Sequence, residues 1–135
     1  MLDTSPLKTL MSLGFIRIYA GTVPSTADAS IGAATLLCIL SNNDTGTGLT
    51  LDAAAASGII AKNTGETWSG TNSASGTATF YRHVAVGDTG GASTTEARIQ
   101  GTIALAGGEV NLSSVNLSVS ALQTLDYYVV ALPTL

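Results

Sequence analysis

The chain has 135 residues, of which 45% are hydrophobic, 5% aromatic and 10% charged, and 67 of them are Ala, Gly, Ser or Thr. That length suits one domain, and a mean hydropathy of +0.38 with a formal charge of only −4 excludes the composition of a disordered chain. Five Lys and Arg stand against nine Asp and Glu, and the cations Lys8, Arg17, Lys62, Arg82 and Arg98 are spread along the sequence, which argues against a nucleic-acid surface.

The start, MLDTSPLKTLMSLG, lacks the basic-then-apolar pattern of a secretory signal, so synthesis in a cytoplasm is expected. Residues 3–14 are the helical candidate. Ser5 is placed to cap, Pro6 suits the first helical position, Leu7, Leu10 and Met11 fall near one face, and Gly14 closes the turn. So short a helix is marginal alone and has to dock, on its own sheet or on a neighbour.

From Phe15 the period changes to two. In FIRIYA, Ile16, Ile18 and Ala20 share one face while Phe15, Arg17 and Tyr19 share the other. A turn-rich stretch over 21–32 leads to a continuous apolar strand over 33–41. Its cysteine, Cys38, permits no internal disulfide and reads as a small buried hydrophobe. Asn42, Asn43, Asp44, Gly46 and Gly48 mark a hairpin or loop.

Short strand units follow at 49–51, 58–61 and 66–70. Trp68, in GETWSG, suits an anchor in the interior or at an interface. A longer strand is predicted over 77–86, with Phe80, Arg82, Val84 and Val86 on one side and Tyr81, His83 and Ala85 on the other, and GDTGGAS after it is a loop. Residues 97–105 and 115–119 alternate cleanly. The last stretch, with Leu125, Tyr127, Val129 and Ala131 facing one way and Asp126, Tyr128, Val130 and Leu132 the other, is apolar on both faces. That suits a central strand or a buried subunit contact. The longest unbroken apolar runs, 36–40 and 127–132, fall far short of the ~18 residues of a membrane helix, so no membrane partner is expected.

The pattern predicts an all-β protein: a single-domain antiparallel β-sandwich or jelly-roll-like barrel over residues 15–135, preceded by a short helix or arm at 1–14. Little chemistry accompanies it. His83 is the sole histidine, and a Ser-His-Asp set drawn from it with Asp88 or Asp126 has no positioning signature. One His and one Cys do not furnish a zinc set, and the Asn42–Asp44–Gly46 turn lacks the closing acid of a calcium loop. Glu96 and Glu109 read as solvated strand-end acids. No catalytic, metal or cofactor site is expected. Arg17, Arg82 and Arg98 occupy alternating strand positions, where a long cation covers apolar surface or pairs with an acid.

The run GFIRIYAGTVPSTADAS, then AATLLCILS, GLTLDAAAASGIIAKNTGETWSGT and GTATFYR, resembles small virion structural proteins of tailed bacteriophages, over roughly residues 14–132. The resemblance implies a non-enzymatic β-rich protein, made in the host cytoplasm and built into the particle. The favoured place is that of a capsid decoration or cement protein, a homo-oligomer with the trimer favoured, bound to the major capsid protein or other virion proteins. A tail or head-to-tail connector component is the alternative. On this reading Leu7, Leu10, Met11, Trp68, Tyr127 and Tyr128 are the interface candidates. A rival of another class is a carbohydrate-binding module stacking sugars on Trp68, Tyr81, Tyr127 and Tyr128. The low charged fraction carries its own expectation, that part of the Ala, Thr and Ser surface is buried in an assembly.

Overall fold

The computed structural model describes residues 13–51, 59–63, 65–93, 98–104, 110–112, 115–125 and 128–131. The predicted N-terminal helix, with Leu7, Leu10 and Met11, lies outside them up to residue 12, and its expected closing residue Gly14 is bridged to Leu49; Glu96, Glu109, Asp126 and Tyr127 also lie outside.

The described residues contain strands and no helix: β1 Phe15–Ala20, β2 Thr35–Asn42, β3 Ile59–Ala61, β4 Trp68–Thr71, β5 Gly76–Thr77, β6 Phe80–Val84, β7 Arg98–Ala104, β8 Val110–Asn111, β9 Asn116–Leu117, β10 Leu122–Leu125 and β11 Val129–Ala131. Seven form one sheet in the order β10-β4-β2-β1-β6-β7-β8, while β11 with β3 and β5 with β9 make two short ribbons. All pairings are antiparallel except β7 with β8. The protein is all-β as the sequence predicts, and among the described residues the large sheet is open, with β10 and β8 at its edges and no closure into a barrel.

The alternation of β1 organises everything else. On the inner face, Ile16 lies between Leu40 and His83, and Ile18 between Cys38 and Tyr81. On the outer face, Arg17 lies between Ile39 and Arg82, and Arg82 in turn beside Gln100. A β-bulge after Ile18 inserts Leu37 as an extra residue on β2, and its carbonyl turns away to accept the Ser73 N–H at 2.7 Å. The inner face carries the apolar core of Ile16, Ile18, Leu37, Cys38, Leu40, Leu49, Leu51, Trp68, Tyr81 and Tyr128.

Two predicted strands need correction. The strand expected over 77–86 divides into β5 and β6 because the intervening amides take other acceptors, Ala78 N–H bonding Val115 O and Thr79 N–H bonding Tyr19 O. The last stretch is not a central strand. Leu122–Leu125 is the outer strand beside β4, and the chain then joins a separate ribbon, where the Tyr128 carbonyl accepts the Lys62 N–H.

Candidate functional site

The outer face of β1, β6 and β7 is closed by two loops, residues 21–34 and 87–93, held on by polar cross-links. Arg82, fully buried, is the hub. Its Nε donates to Gln100 Oε1 at 2.9 Å, Nη1 to Gly90 O at 2.6 Å, and Nη2 to Ala29 O at 2.6 Å and Thr26 O at 3.2 Å. Burial, with Arg98 beside it, lowers Arg82 from its ordinary value. Gln100 Nε2 reaches the same loop at Pro24 O, and Thr79 Oγ1 reaches Gly21 O.

Arg98 and Asp88 form the second tie. Arg98 Nε and Nη2 grip the two Asp88 oxygens at 2.6 and 2.7 Å in a bidentate pair, and Nη1 donates to Ala27 O. Both side chains are buried. Burial works against the Asp88 charge, but the hydrogen bonds from Arg98 and from the Gly90 N–H, with the charge of Arg98, outweigh it and hold the carboxyl below its usual value. The loop closes tightly on the sheet. Gly90 has φ +85°, and a Cβ there would lie 2.5 Å from the Tyr19 hydroxyl, so only glycine fits. Beneath it Tyr19 stacks on Phe80 at 4.9 Å.

On the inner face, His83 is fully buried among rings, its centroid 5.4 Å from Tyr128 and 6.1 Å from Trp68, both edge-on. His83 Nδ1 lies 3.1 Å from the Tyr128 hydroxyl, while Nε2 has no hydrogen-bond partner among the described residues. Burial pushes His83 down to about 4. Tyr81 meets Tyr128 edge-on at 5.9 Å.

Trp68 is locked from its other side. Glu66 Oε1 accepts Trp68 Nε1–H and Thr50 N–H, Oε2 accepts the Thr50 hydroxyl, and Lys62 Nζ lies over the Trp68 ring while donating to Glu66 O. Trp68 and Tyr128 are therefore core side chains, and their standing as interface candidates is corrected: rings this enclosed have no face left for a neighbour. The same burial removes Trp68, Tyr81 and Tyr128 as sugar-stacking platforms.

Nor does the geometry assemble a Ser-His-Asp set from His83 and Asp88. His83 points to the inner face, whereas Asp88 lies in the loop that closes the outer face and is spent on Arg98. Among the described residues no group of His, Cys, Asp and Glu is placed to hold a metal ion. The Asn42–Gly46 segment is a turn: Asn43, Asp44 and Gly46 have φ of 56°, 55° and 82°, and Asp44 Oδ2 accepts the Thr71 hydroxyl. Cys38 is buried as predicted, its thiol pushed up to about 12 by burial and by Asp44.

The arginines are the residues whose grouping the linear spacing hides. Cations 65 positions apart in sequence become cross-strand neighbours, Arg17 opposite Arg82, and the acid that Arg98 grips beside them lies in the loop after β6. No protein family, curated protein or solved structure matches this chain.

Proposed function

We propose that this is a non-enzymatic contact protein of a tailed-bacteriophage particle, a capsid decoration (cement) protein that binds the head exterior as an oligomer, the trimer favoured, and stabilises the shell. The observation that carries the reading is the outer strand β10. Residues 110–125 contain no ionisable side chain, and this stretch ends in a strand that, among the described residues, has a sheet partner on one side only. Edge strands are usually blunted by charge, proline or bulges, and this one presents Leu122, 63% exposed, with Val119, 54% exposed, just before it. A neutral, hydroxyl-rich edge on an acidic chain is cheap to desolvate and suits repeated contact.

The remaining support is the sequence resemblance and the use of the arginines. Side chains that elsewhere serve charged ligands are here spent on fastening loops to a rigid sheet. Binding only to the mature lattice would stabilise that state by mass action, and many equivalent weak contacts would sum through multivalency. Mixing the purified protein with undecorated heads and imaging them tests the proposal. Ordered extra density on the shell is expected, together with an oligomeric mass by light scattering. Bare shells would overturn the decoration role, and a large ring mass would redirect it to the head-to-tail connector.

A further inference from the structure

The inner face holds a second device, independent of any role in assembly. We infer that His83 is an acid-sensitive pin: protonating it releases Tyr128, and with it the β3–β11 ribbon, from the inner face of the seven-stranded sheet.

Four observations combine. First, the ring is fully buried, and among the described residues neither of its nitrogens meets a carboxylate. Second, a protonated ring has two N–H donors, and while Nδ1 keeps the Tyr128 oxygen, Nε2 has no acceptor among the described residues. A buried cation with an orphaned donor is a state that the fold relieves by letting water in.

Third, the groups facing His83 offer no compensation. Its own strand supplies Tyr81, β4 supplies Trp68, and the segment before β11 supplies Tyr128; its cross-strand neighbours are Ile16 on β1 and Ile99 on β7. The nearby charges are already engaged, Glu66 by Thr50 and Trp68, and Lys62 by the Glu66 carbonyl. Arg82, Asp88 and Arg98 act on the opposite face.

Fourth, the two sides of the contact differ in anchorage. His83 sits in β6, laddered to β1 on one side and β7 on the other, whereas Tyr128 lies just before β11, whose ladder partner among the described residues is β3 alone; beyond that ladder the ribbon is tied by single contacts, Lys62 to Leu51, Glu66 and Tyr128 O, Asn63 to Thr50, and the Tyr128 side chain to Tyr81. The weaker side gives way, so opening begins at Tyr128.

The sign follows from linkage. The folded-state value, about 4, lies below the ordinary 6.5, so the open state binds the proton more tightly. The stabilisation from a neutral His83 is complete above about pH 6.5, declines between 6.5 and 4, and is flat below; over that window the closing constant falls roughly 100- to 1,000-fold.

Hydrogen exchange on the full chain between pH 7 and 4.5, corrected for intrinsic rates, tests this while staying above the range where Asp88 titrates. Amides 59–61 and 129–131 are expected to be less protected than those of β1 and β6 and to lose protection steadily as the pH falls. Ribbon protection that is flat with pH overturns the inference, and so does loss of all strands together with no earlier ribbon opening. His83→Phe keeps a ring in place and removes the proton site, so the ribbon's pH dependence is expected to vanish; its persistence is a second refutation. Should that variant fail to fold, the ¹⁵N titration of the wild-type imidazole decides: a His83 midpoint at or above 6.5 ends the proposal, and one well below it, tracking the ribbon amides, sustains it.

Discussion

Arg17 and Arg82 lie directly opposite each other on β1 and β6, two like charges paired across adjacent strands beneath a closed loop. Such a pair is ordinarily destabilising. It is held here because four neutral oxygens take the donors of Arg82, and because Asp88, gripped by Arg98, lies close enough to feel Arg17 as well. The outer face is thus closed by directed hydrogen bonds where the inner face is closed by apolar packing.

Arg82→Ala removes the hub and strands the carbonyls of Gly90, Ala29 and Thr26. The expected cost is about 3–5 kcal/mol by chemical denaturation, with faster proteolysis inside residues 21–34. Arg82→Lys recovers less than half of this, since a single ammonium does not span acceptors that a guanidinium reaches at once. A lysine variant as stable as the wild type would show that charge alone is what the site needs.

Asp88 makes stability fall in acid. Its folded-state value lies below the ordinary one, so its contribution is present above the unfolded-state value near 3.8 and is lost as the pH drops through the folded one. Asp88→Asn is expected to destabilise the protein at neutral pH and to flatten the stability profile below pH 4. An unchanged acid limb would exclude the Arg98 pair as its cause.

Glu66→Ala leaves the Thr50 amide and the Trp68 indole N–H without their acceptor, at a cost of about 1–3 kcal/mol. Trp68 is the sole tryptophan, so its emission reports the site directly. A red shift with added quencher access is expected. Glu66→Gln, which keeps an acceptor oxygen, shifts it less.

Gly90→Ala combines a positive φ with a Cβ driven against the Tyr19 hydroxyl, and about 1–3 kcal/mol of destabilisation is expected. Gly87→Ala, with a similar φ of +84° and open space around its Cβ position, is expected to cost less. Equal losses for the two would mean that backbone strain dominates and the close approach at Gly90 is immaterial.

Cys38 is buried with a thiol pushed up to about 12, so it should resist thiol reagents in the native state and react at once in denaturant. Its labelling rate then measures opening of the sheet interior. Fast native labelling at neutral pH would contradict the packing around β2.

The alternation in FIRIYA and in residues 98–104, and the turn residues Asn43, Asp44, Gly46, Gly87 and Gly90, were legible because they depend on local geometry. The pairing of faces was not. Arg82 and His83 are adjacent in sequence and both fully buried, one under polar loops and the other in an aromatic core, and an alternating pattern shows only that they point apart. A loop covering a strand is a tertiary event. The local signal is an arginine six positions before the lone aspartate of GDTGG, and even that does not show that Arg98 takes the carboxylate while Arg82 takes the backbone. Nor does local pattern decide between interior and interface for Trp68, whose indole is enclosed by Glu66, Lys62, His83 and Tyr128 from four separate segments.

The strand order carries a consequence for how the chain acquires its shape. β1 leaves the ribosome first among the described strands yet ends in the middle of the sheet, with Ile18 paired to Cys38 on one side and to the far later Tyr81 on the other. The β1–β2 hairpin is able to form early, but its other edge waits through β3, β4 and β5, and β4 waits for β10 some fifty residues later. Contacts of such long sequence separation slow folding. The nascent hairpin therefore waits with one edge of an apolar strand unpaired, and the small, weakly charged residues around it set how well it survives that interval without pairing with the wrong chain.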